Sequence, residues 1–144
     1  MREIKFRAWD KDEKSMYKVM SLTFRGIEYG YSVKITPKVI ENRTLHNFKL
    51  MQYSGINDKN DKEIYEGDIF QCKSRQGKDM QGEVYFEEGC FKIKYGYQKP
   101  PEGERKDYFL SSVISKETAK EIEIIGNVFE NPELLEQVAK CNAQ

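Results

Sequence analysis

The sequence predicts an α+β protein that is mostly β, with an N-terminal hairpin-rich part, a small SH3-like β-barrel and a C-terminal helix. Three observations support this prediction. Apolar and polar residues alternate in short runs, as they do in half-buried strands. Clusters of Gly, Pro, Asn, Asp and Ser separate these runs and mark turns. Near the end, Asn131 can cap a helix, Pro132 suits its first position and Glu133 suits its first turn.

Length and composition bound the organisation of the chain. Of its 144 residues, 33% are charged and 12% are aromatic, which indicates a polar but folded protein because disordered segments are poor in aromatic residues. A chain of this length forms one domain or two small subdomains. We predict an N-terminal β-hairpin subdomain over 1–60, the barrel subdomain over 61–130, and the C-terminal helix and tail over 131–144.

The N-terminal part begins with a predicted hairpin. Apolar residues alternate over 4–8, a polar turn follows at 10–14, and 15–24 return as the second strand. Trp9, near the tip, is interpreted as a residue packed against its neighbours rather than as a stacking platform. A further alternating run at 29–35 predicts another strand.

The segment Leu50–Phe70, which we call the hub, is the best-defined part of the sequence. We predict that it starts as the end of a strand, turns at Ser54-Gly55 and passes through a dense run of Asn and Asp residues. A tight turn at Gly67-Asp68 then starts a second strand that reaches about Lys73. Gly55, Gly67 and Asp68 are assigned structural roles in these turns: the glycines supply positive φ and the aspartate caps the turn.

The C-terminal part is predicted to contain five strands. A polar loop at 74–81 precedes the clearest hairpin, at 82–95, whose loop is the three residues 87–89. Strands at 108–114 and 122–125 complete the set, with one helical turn between them. Five short strands with a tight hairpin at their centre fit an SH3-like barrel.

Three segments of the chain carry a family resemblance. They are IKFRAWDKDEKSM at Ile4–Met16, LMQYSGINDKNDKEIYEGDIF at Leu50–Phe70 and IEIIGNVFENPELL at Ile122–Leu135. In this order, and over nearly the whole chain, they resemble the YopX family of bacteriophage and prophage proteins. The resemblance implies a phage or prophage origin and a mixed, β-rich fold, and it assigns no activity and no catalytic residues. Asp61 stands where the family usually has Gly, which implies a turn of a different type there.

The sequence offers no catalytic constellation. His46 is the only histidine, and no nucleophile motif such as G-x-S-x-G accompanies it. Counted from Asp58, an EF-hand would need a ligand at position five and Gly at position six, where Lys62 and Glu63 stand. The paired acidic residues fall at turns, in solvent, rather than in a buried acid–base site. We therefore expect a non-enzymatic protein with no metal and no cofactor.

The remaining candidate site is a mixed basic and aromatic surface that could bind nucleic acid. Its members are Lys73, Arg75, Lys78, Lys92, Lys94, Tyr97 and Lys99. Lys92 and Lys94 alternate with Phe91 and Ile93, so they point to solvent. Over 71–99 there are six basic against four acidic residues. Because so small an excess releases few counterions, an ordinary soluble strand face is the favoured interpretation.

Charge and cysteine use suggest where the protein acts. The net charge is zero, the three cysteines lack CxxC spacing, and neither an apolar signal segment nor a run long enough to span a membrane occurs. We expect a cytoplasmic protein of the host cell that makes no membrane contact.

The leading functional hypothesis is a phage or prophage accessory protein that binds another protein and forms a homo-oligomer, since exposed strand edges favour pairing with another chain. The alternative is a nucleic-acid-binding module in phage replication or gene control. A hydrolase built on turn carboxylates is the third.

Overall fold

The computed structural model describes residues 1, 3–24, 31–35, 48–97 and 110–135. The chain divides into two compact units, Met1–Tyr53 and Ser54–Gln144. The described part is mostly β, as predicted, and contains two antiparallel sheets with short helical segments. His46 and Lys99, both weighed in the sequence analysis, lie outside the described residues.

The first unit is built on the predicted N-terminal hairpin. Its strands are β1 (Phe6–Asp10), β2 (Ser15–Phe24), β3 (Tyr31–Ile35) and the first part of β4 (Phe48–Asn57). β2 pairs with β1 and with β3, and β1 also pairs with β4, all antiparallel. The Asp10 carboxylate accepts backbone hydrogen bonds from Asp12 (2.9 Å) and Glu13 (3.1 Å), which closes the hairpin turn.

A small apolar core lies on this hairpin. Ala8 and Phe48 are buried, and Tyr17 and Leu22 pack against them. Trp9 is 7% exposed, as its interpretation as a packed residue requires.

β4 extends further than the hub pattern predicts. The turn expected at Ser54-Gly55 is wrong, because the strand continues to Asn57. Gly55 adopts a φ of 87°, and the Ser54 hydroxyl accepts a hydrogen bond from the Ile56 N–H (3.3 Å), so the predicted positive φ occurs within the strand and does not end it. A short strand that the sequence analysis missed, β5 (Glu63–Tyr65), lies beside β4 in the sheet.

The second unit contains the five strands expected after the hub. They are β6 (Asp68–Lys73), β7 (Asp79–Glu87), β8 (Cys90–Tyr97), β9 (Leu110–Val113) and β10 (Glu123–Asn127), with the short helix α1 (Lys116–Ala119) before β10. They form one sheet in the order β10-β6-β7-β8-β9, and every neighbouring pair is antiparallel. No closed barrel is found among the described strands, so the SH3-like barrel stays a prediction.

β7 and β8 form the predicted hairpin, with two corrections. β7 begins at Asp79, so the polar loop is shorter than the predicted 74–81. The connecting turn has two residues, Glu88 and Gly89, rather than three. Both have positive φ, 52° and 80°, as in a type I′ turn, whose twist matches that of the flanking strands.

One face of this sheet carries the core of the second unit. The buried side chains are Ile64, Phe70, Val84, Phe91, Ile93, Ile114, Ala119, Ile122 and Ile124. Gly82 allows the strands to approach, since a Cβ there would lie 2.6 Å from the Tyr95 Cβ and 2.8 Å from the Phe70 Cζ. The Ser115 hydroxyl caps α1 by accepting a hydrogen bond from the Thr118 N–H (3.2 Å).

The C-terminal helix begins where its sequence signal places it. Residues 132–135 are helical, and the rest of the predicted helix and tail lies outside the described residues. In the described ranges, no helix has both the length and the apolar character needed to cross a membrane.

Candidate functional site

A groove opens on the core-facing side of the second sheet, at the end where β6 and β8 finish and β7 and β9 begin. Its volume is about 440 Å³. The floor is apolar and is formed by Phe70, Met80, Ile93, Tyr95, Leu110 and Ile122. Polar residues at the rim include Ser74, Arg75, Ser112 and Glu121. The lining therefore combines apolar and polar side chains in similar numbers.

A second cavity, of about 540 Å³, adjoins the groove. The two cavities share Cys72, Lys73, Ser74, Arg75 and Glu121. The Lys73 ammonium is 2.6 Å from an Asp79 carboxylate oxygen, so these two charges neutralise each other. Arg75 and Glu121 are exposed and form no ion pair within the described part of the chain. Counting described residues alone, the shared rim therefore carries one unpaired positive charge, on Arg75, and one unpaired negative charge, on Glu121.

Cys72 lies where the two cavities meet. Burial of the thiol, together with the nearby Glu121 carboxylate, raises the pKa of Cys72 to about 11. The thiol thus stays protonated near neutral pH and is a weak nucleophile. Across residues 1, 3–24, 31–35, 48–97 and 110–135, no cluster of His, Cys, Asp or Glu side chains could hold a metal ion. The groove offers recognition by shape, apolar contact and charge.

The strand β9 forms one edge of the sheet beside the groove. Leu110 and Ser112 line the groove, whereas Ser111 lies on the opposite face, where its hydroxyl is 2.6 Å from the Tyr85 hydroxyl. The Ile114 N–H donates a hydrogen bond to the Phe91 carbonyl of β8 (3.1 Å). Because the bonding direction alternates along an antiparallel ladder, Leu110 and Ser112 also bond towards β8.

The backbone groups of Ser111 and Val113 consequently point away from the sheet, and Val113 is 57% exposed. No strand among the described residues pairs with this outer edge of β9, so the described sheet can accept another strand there.

The opposite edge, β10, is covered by the hub. The Lys59 N–H donates to the Ile122 carbonyl (3.1 Å), and the Asp58 carboxylate accepts from the Ile124 N–H (2.8 Å). The Lys62 ammonium adds a hydrogen bond to the Ile124 carbonyl (3.4 Å). Of the two edges of this sheet, β10 is thus covered by the hub, whereas no described strand covers β9.

The basic set predicted from the sequence falls into two groups. Lys73, Arg75 and Lys78 surround the turn between β6 and β7, and Lys92 and Lys94 lie on β8. Lys99 and the side chain of Tyr97 lie outside the described residues.

Neighbouring carboxylates offset the charges on β8. The Lys92 ammonium bonds to Glu88 and to Glu87 (3.1 Å), and these hydrogen bonds raise the pKa of Lys92. Lys94 lies opposite Glu83 in the ladder. Such pairing reduces the charge available to phosphates. Of the members whose side chains the structure describes, Lys73 and Arg75 line the groove.

Comparison with known proteins identifies the family of the chain. The model of the YopX protein family matches residues 5–136. This chain belongs to the YopX family. It is similar to the crystal structure of protein EF1440 from Enterococcus faecalis, with 25% identity and a TM-score of 0.56 over 94% of this chain and 99% of that one. The fold is also similar to that of protein YopX from Bacillus subtilis, with 24% identity and a TM-score of 0.58 over 93% and 98% of the two chains. No curated protein matches the sequence.

The hub, one of the YopX segments, is organised by the buried carboxylate of Asp58, which is 6% exposed. One oxygen accepts hydrogen bonds from the backbone N–H groups of Asn60 (2.8 Å) and Lys62 (2.9 Å), and the other accepts from Ile124. Asp61 has a φ of 64°. It therefore adopts the left-handed conformation that glycine favours, and the expected change of turn type relative to the family stays a prediction.

The end of the hub is held in the same way. Gly67 has a φ of 79°, and the Asp68 carboxylate, which is buried, accepts a hydrogen bond from the Tyr65 N–H (2.7 Å). The Gly67 N–H donates to the Val84 carbonyl (2.7 Å), and its carbonyl accepts from the Val128 N–H (2.8 Å). These residues fix the turn that leads into β6.

The third YopX segment forms another side-chain-capped turn. The Asn127 side-chain oxygen accepts hydrogen bonds from the N–H groups of Phe129 (3.1 Å) and Glu130 (3.0 Å), and its amide donates to the Glu130 carboxylate. At Gly126 a Cβ would collide with the Asn131 side chain. The polar residues of these two YopX segments thus secure the fold rather than line the groove.

Proposed function

We propose that this chain is a non-enzymatic accessory protein of a phage or prophage, which acts in the host cytoplasm by binding an extended segment of another protein. The observation behind the proposal is the open edge of β9 beside the groove. Its outward backbone groups, on Ser111 and Val113, offer hydrogen bonds to an added strand.

The groove supplies the second half of the recognition. Leu110 and Ser112 point from β9 into it, so alternate side chains of an added strand would continue the same face of the sheet and lie over the apolar floor. Main-chain hydrogen bonds then give affinity that does not depend on sequence, and the floor selects apolar side chains. Burial of apolar area against this floor adds about 25 cal/mol for each Å².

The test uses a library of random peptides displayed on a cell surface and sorted against the purified full chain. Val113→Pro removes one outward N–H without removing any hydrogen bond to β8, and proline is tolerated on edge strands. Val113→Ala is the matched control, because it shortens the same side chain and keeps the N–H. We expect selected peptides to bind the alanine variant and to lose about tenfold in affinity for the proline variant, the value of one main-chain hydrogen bond left unmade.

Amide exchange of the same complex provides a second readout. The Val113 amide should exchange more slowly when a selected peptide is bound, since the peptide covers it. Equal affinity of the peptides for both variants, with unchanged exchange at Val113, would reject pairing at this edge.

Light scattering at several concentrations tests the predicted homo-oligomer, in which the added strand would come from a second copy. A mass independent of concentration and equal to one chain would contradict that form of the proposal.

A further inference from the structure

The rim of the groove carries a charge pattern that a bound segment must match. Among the residues that the structure describes, three cations line the adjoining cavities, and two of them are ion-paired: Lys73 with Asp79, and Lys59 with Glu123 at 2.6 Å. The remaining cation is Arg75. Its guanidinium is exposed and has no ion-pair partner in the described ranges.

The carboxylates near the groove likewise divide into ion-paired and unpaired groups. Asp79 and Glu123 are engaged with the two lysines, and the hydrogen bond from Lys59 lowers the pKa of Glu123. Glu121 is exposed at the same rim and forms no ion pair among the described residues. Arg75 and Glu121 both border the groove and the cavity next to it. The rim thus offers one fork of guanidinium donors and one carboxylate to whatever occupies the groove.

We infer that Arg75 and Glu121 determine which protein segments the groove accepts, and that an accepted segment carries one acidic side chain for Arg75 and one basic side chain for Glu121. The inference rests on the proposed function, since it concerns the partner of that same groove. Complementary charges at the rim select the partner and its orientation, because a like charge placed there is repelled. The apolar floor alone would accept any hydrophobic strand, so this pair supplies the discrimination.

Charge reversal in both binding partners tests the inference. The same peptide library is sorted against the wild-type chain, Arg75→Glu and Glu121→Lys, and the enriched sequences are compared position by position. Wild-type selections should be enriched in an acidic residue at one position and a basic residue at another. Arg75→Glu should convert the acidic preference into a basic one, and Glu121→Lys should do the converse at the other position. A wild-type peptide should lose about tenfold in affinity on either variant and regain it when its own charge is reversed.

Lys78→Glu is the matched control. Lys78 is exposed on the same turn as Arg75 but lines neither cavity, so its reversal should change affinity by less than about threefold. Far-UV circular dichroism of each variant confirms that the fold is retained.

The outcomes separate this inference from the proposed function. Peptides that depend on the Val113 N–H but show the same charge preferences for all variants would overturn the inference and leave strand addition standing. Peptides that are indifferent to Val113→Pro would reject strand addition itself. An equal response to Lys78→Glu and Arg75→Glu would show a general charge effect and would also overturn the inference.

Discussion

Replacement of Asp58 tests most directly whether its buried carboxylate organises the hub. The carboxylate is 6% exposed and accepts hydrogen bonds from the backbone N–H groups of Asn60, Lys62 and Ile124. Asp58→Ala leaves the buried Ile124 N–H without an acceptor, while the other two N–H groups can partly regain water. A buried unsatisfied donor costs about 1 to 3 kcal/mol, and the lost turn cap adds to it. We expect Asp58→Ala to lower the free energy of unfolding by about 3 to 4 kcal/mol.

Asp58→Asn separates the local contacts from the long-range one. The amide keeps one oxygen for Asn60 and Lys62 but presents an NH₂ group to the Ile124 N–H, so we expect a loss of about 2 kcal/mol. Urea denaturation followed by far-UV circular dichroism measures both values, because the single tryptophan, Trp9, belongs to the other unit.

Asp79→Ala is the control for the loss of a negative charge. Its ion pair with Lys73 joins side chains that are 65% and 68% exposed, so its removal should cost less than about 1 kcal/mol. Faster amide exchange at Ile124 should accompany the loss of stability in both Asp58 variants. If Asp58→Ala destabilises the protein no more than Asp79→Ala does, the buried carboxylate does not organise this turn.

Three further predictions concern backbone conformation and the groove. In urea denaturation, Asp61→Ala should have a free energy of unfolding about 1 kcal/mol lower than that of Asp61→Gly, because glycine adopts the φ of 64° without strain and alanine does not. Equal free energies for the two variants would contradict this. Gly82→Ala should cost more than about 3 kcal/mol or prevent folding, since its Cβ would lie 2.6 Å from the Tyr95 Cβ, whereas Gly77→Ala, with open space around it, should cost about 1 kcal/mol. In a variant whose other two cysteines are serine, alkylation of Cys72 should follow a pKa of about 11, and Glu121→Gln should lower that midpoint; a midpoint at the ordinary value of 9.0 would refute the contribution of burial.

The raised pKa of Cys72 also makes the stability of the folded chain depend on pH. Its pKa is raised in the folded chain, so the folded state favours the neutral thiol. Stability from this group is therefore fully present below the ordinary value of 9.0 and is lost as pH rises towards 11. Denaturation curves between these two pH values should show a decline that Cys72→Ser reduces.

Local patterns predicted the elements of this fold well where apolar and polar residues alternate and where turn-forming residues cluster. The hairpin of β1 and β2, the five strands after the hub and the start of the C-terminal helix all follow from such patterns. Besides the missed strand β5 and the early start of β7 at Asp79, two errors lie at residues with positive φ. Gly55 has the predicted positive φ but does not end β4, and the left-handed Glu88 shortens the loop between β7 and β8. A left-handed glutamate is not implied by residue type, and a glycine with positive φ does not by itself show whether a strand ends.

The candidate site was only partly accessible from the sequence. The basic pattern singled out Arg75, but Glu121 and Leu110 gave no signal, because their importance comes from facing one groove from different strands and turns. Likewise, the pattern predicts that Lys92 points to solvent, whereas its side chain is only 15% exposed and is ion-paired with Glu87 and Glu88.

The sequence by itself determined which residues alternate, which turns are tight and to which family the segments are similar, because these properties depend on neighbours along the chain. Tertiary structure decided which contacts the turns make and which edge of the second sheet no described strand covers. Asp58 reaches the Ile124 N–H across 66 residues, and that contact covers β10 while β9 remains available. Such long-range hydrogen bonds form only when the whole sheet is assembled, so no local pattern contains them.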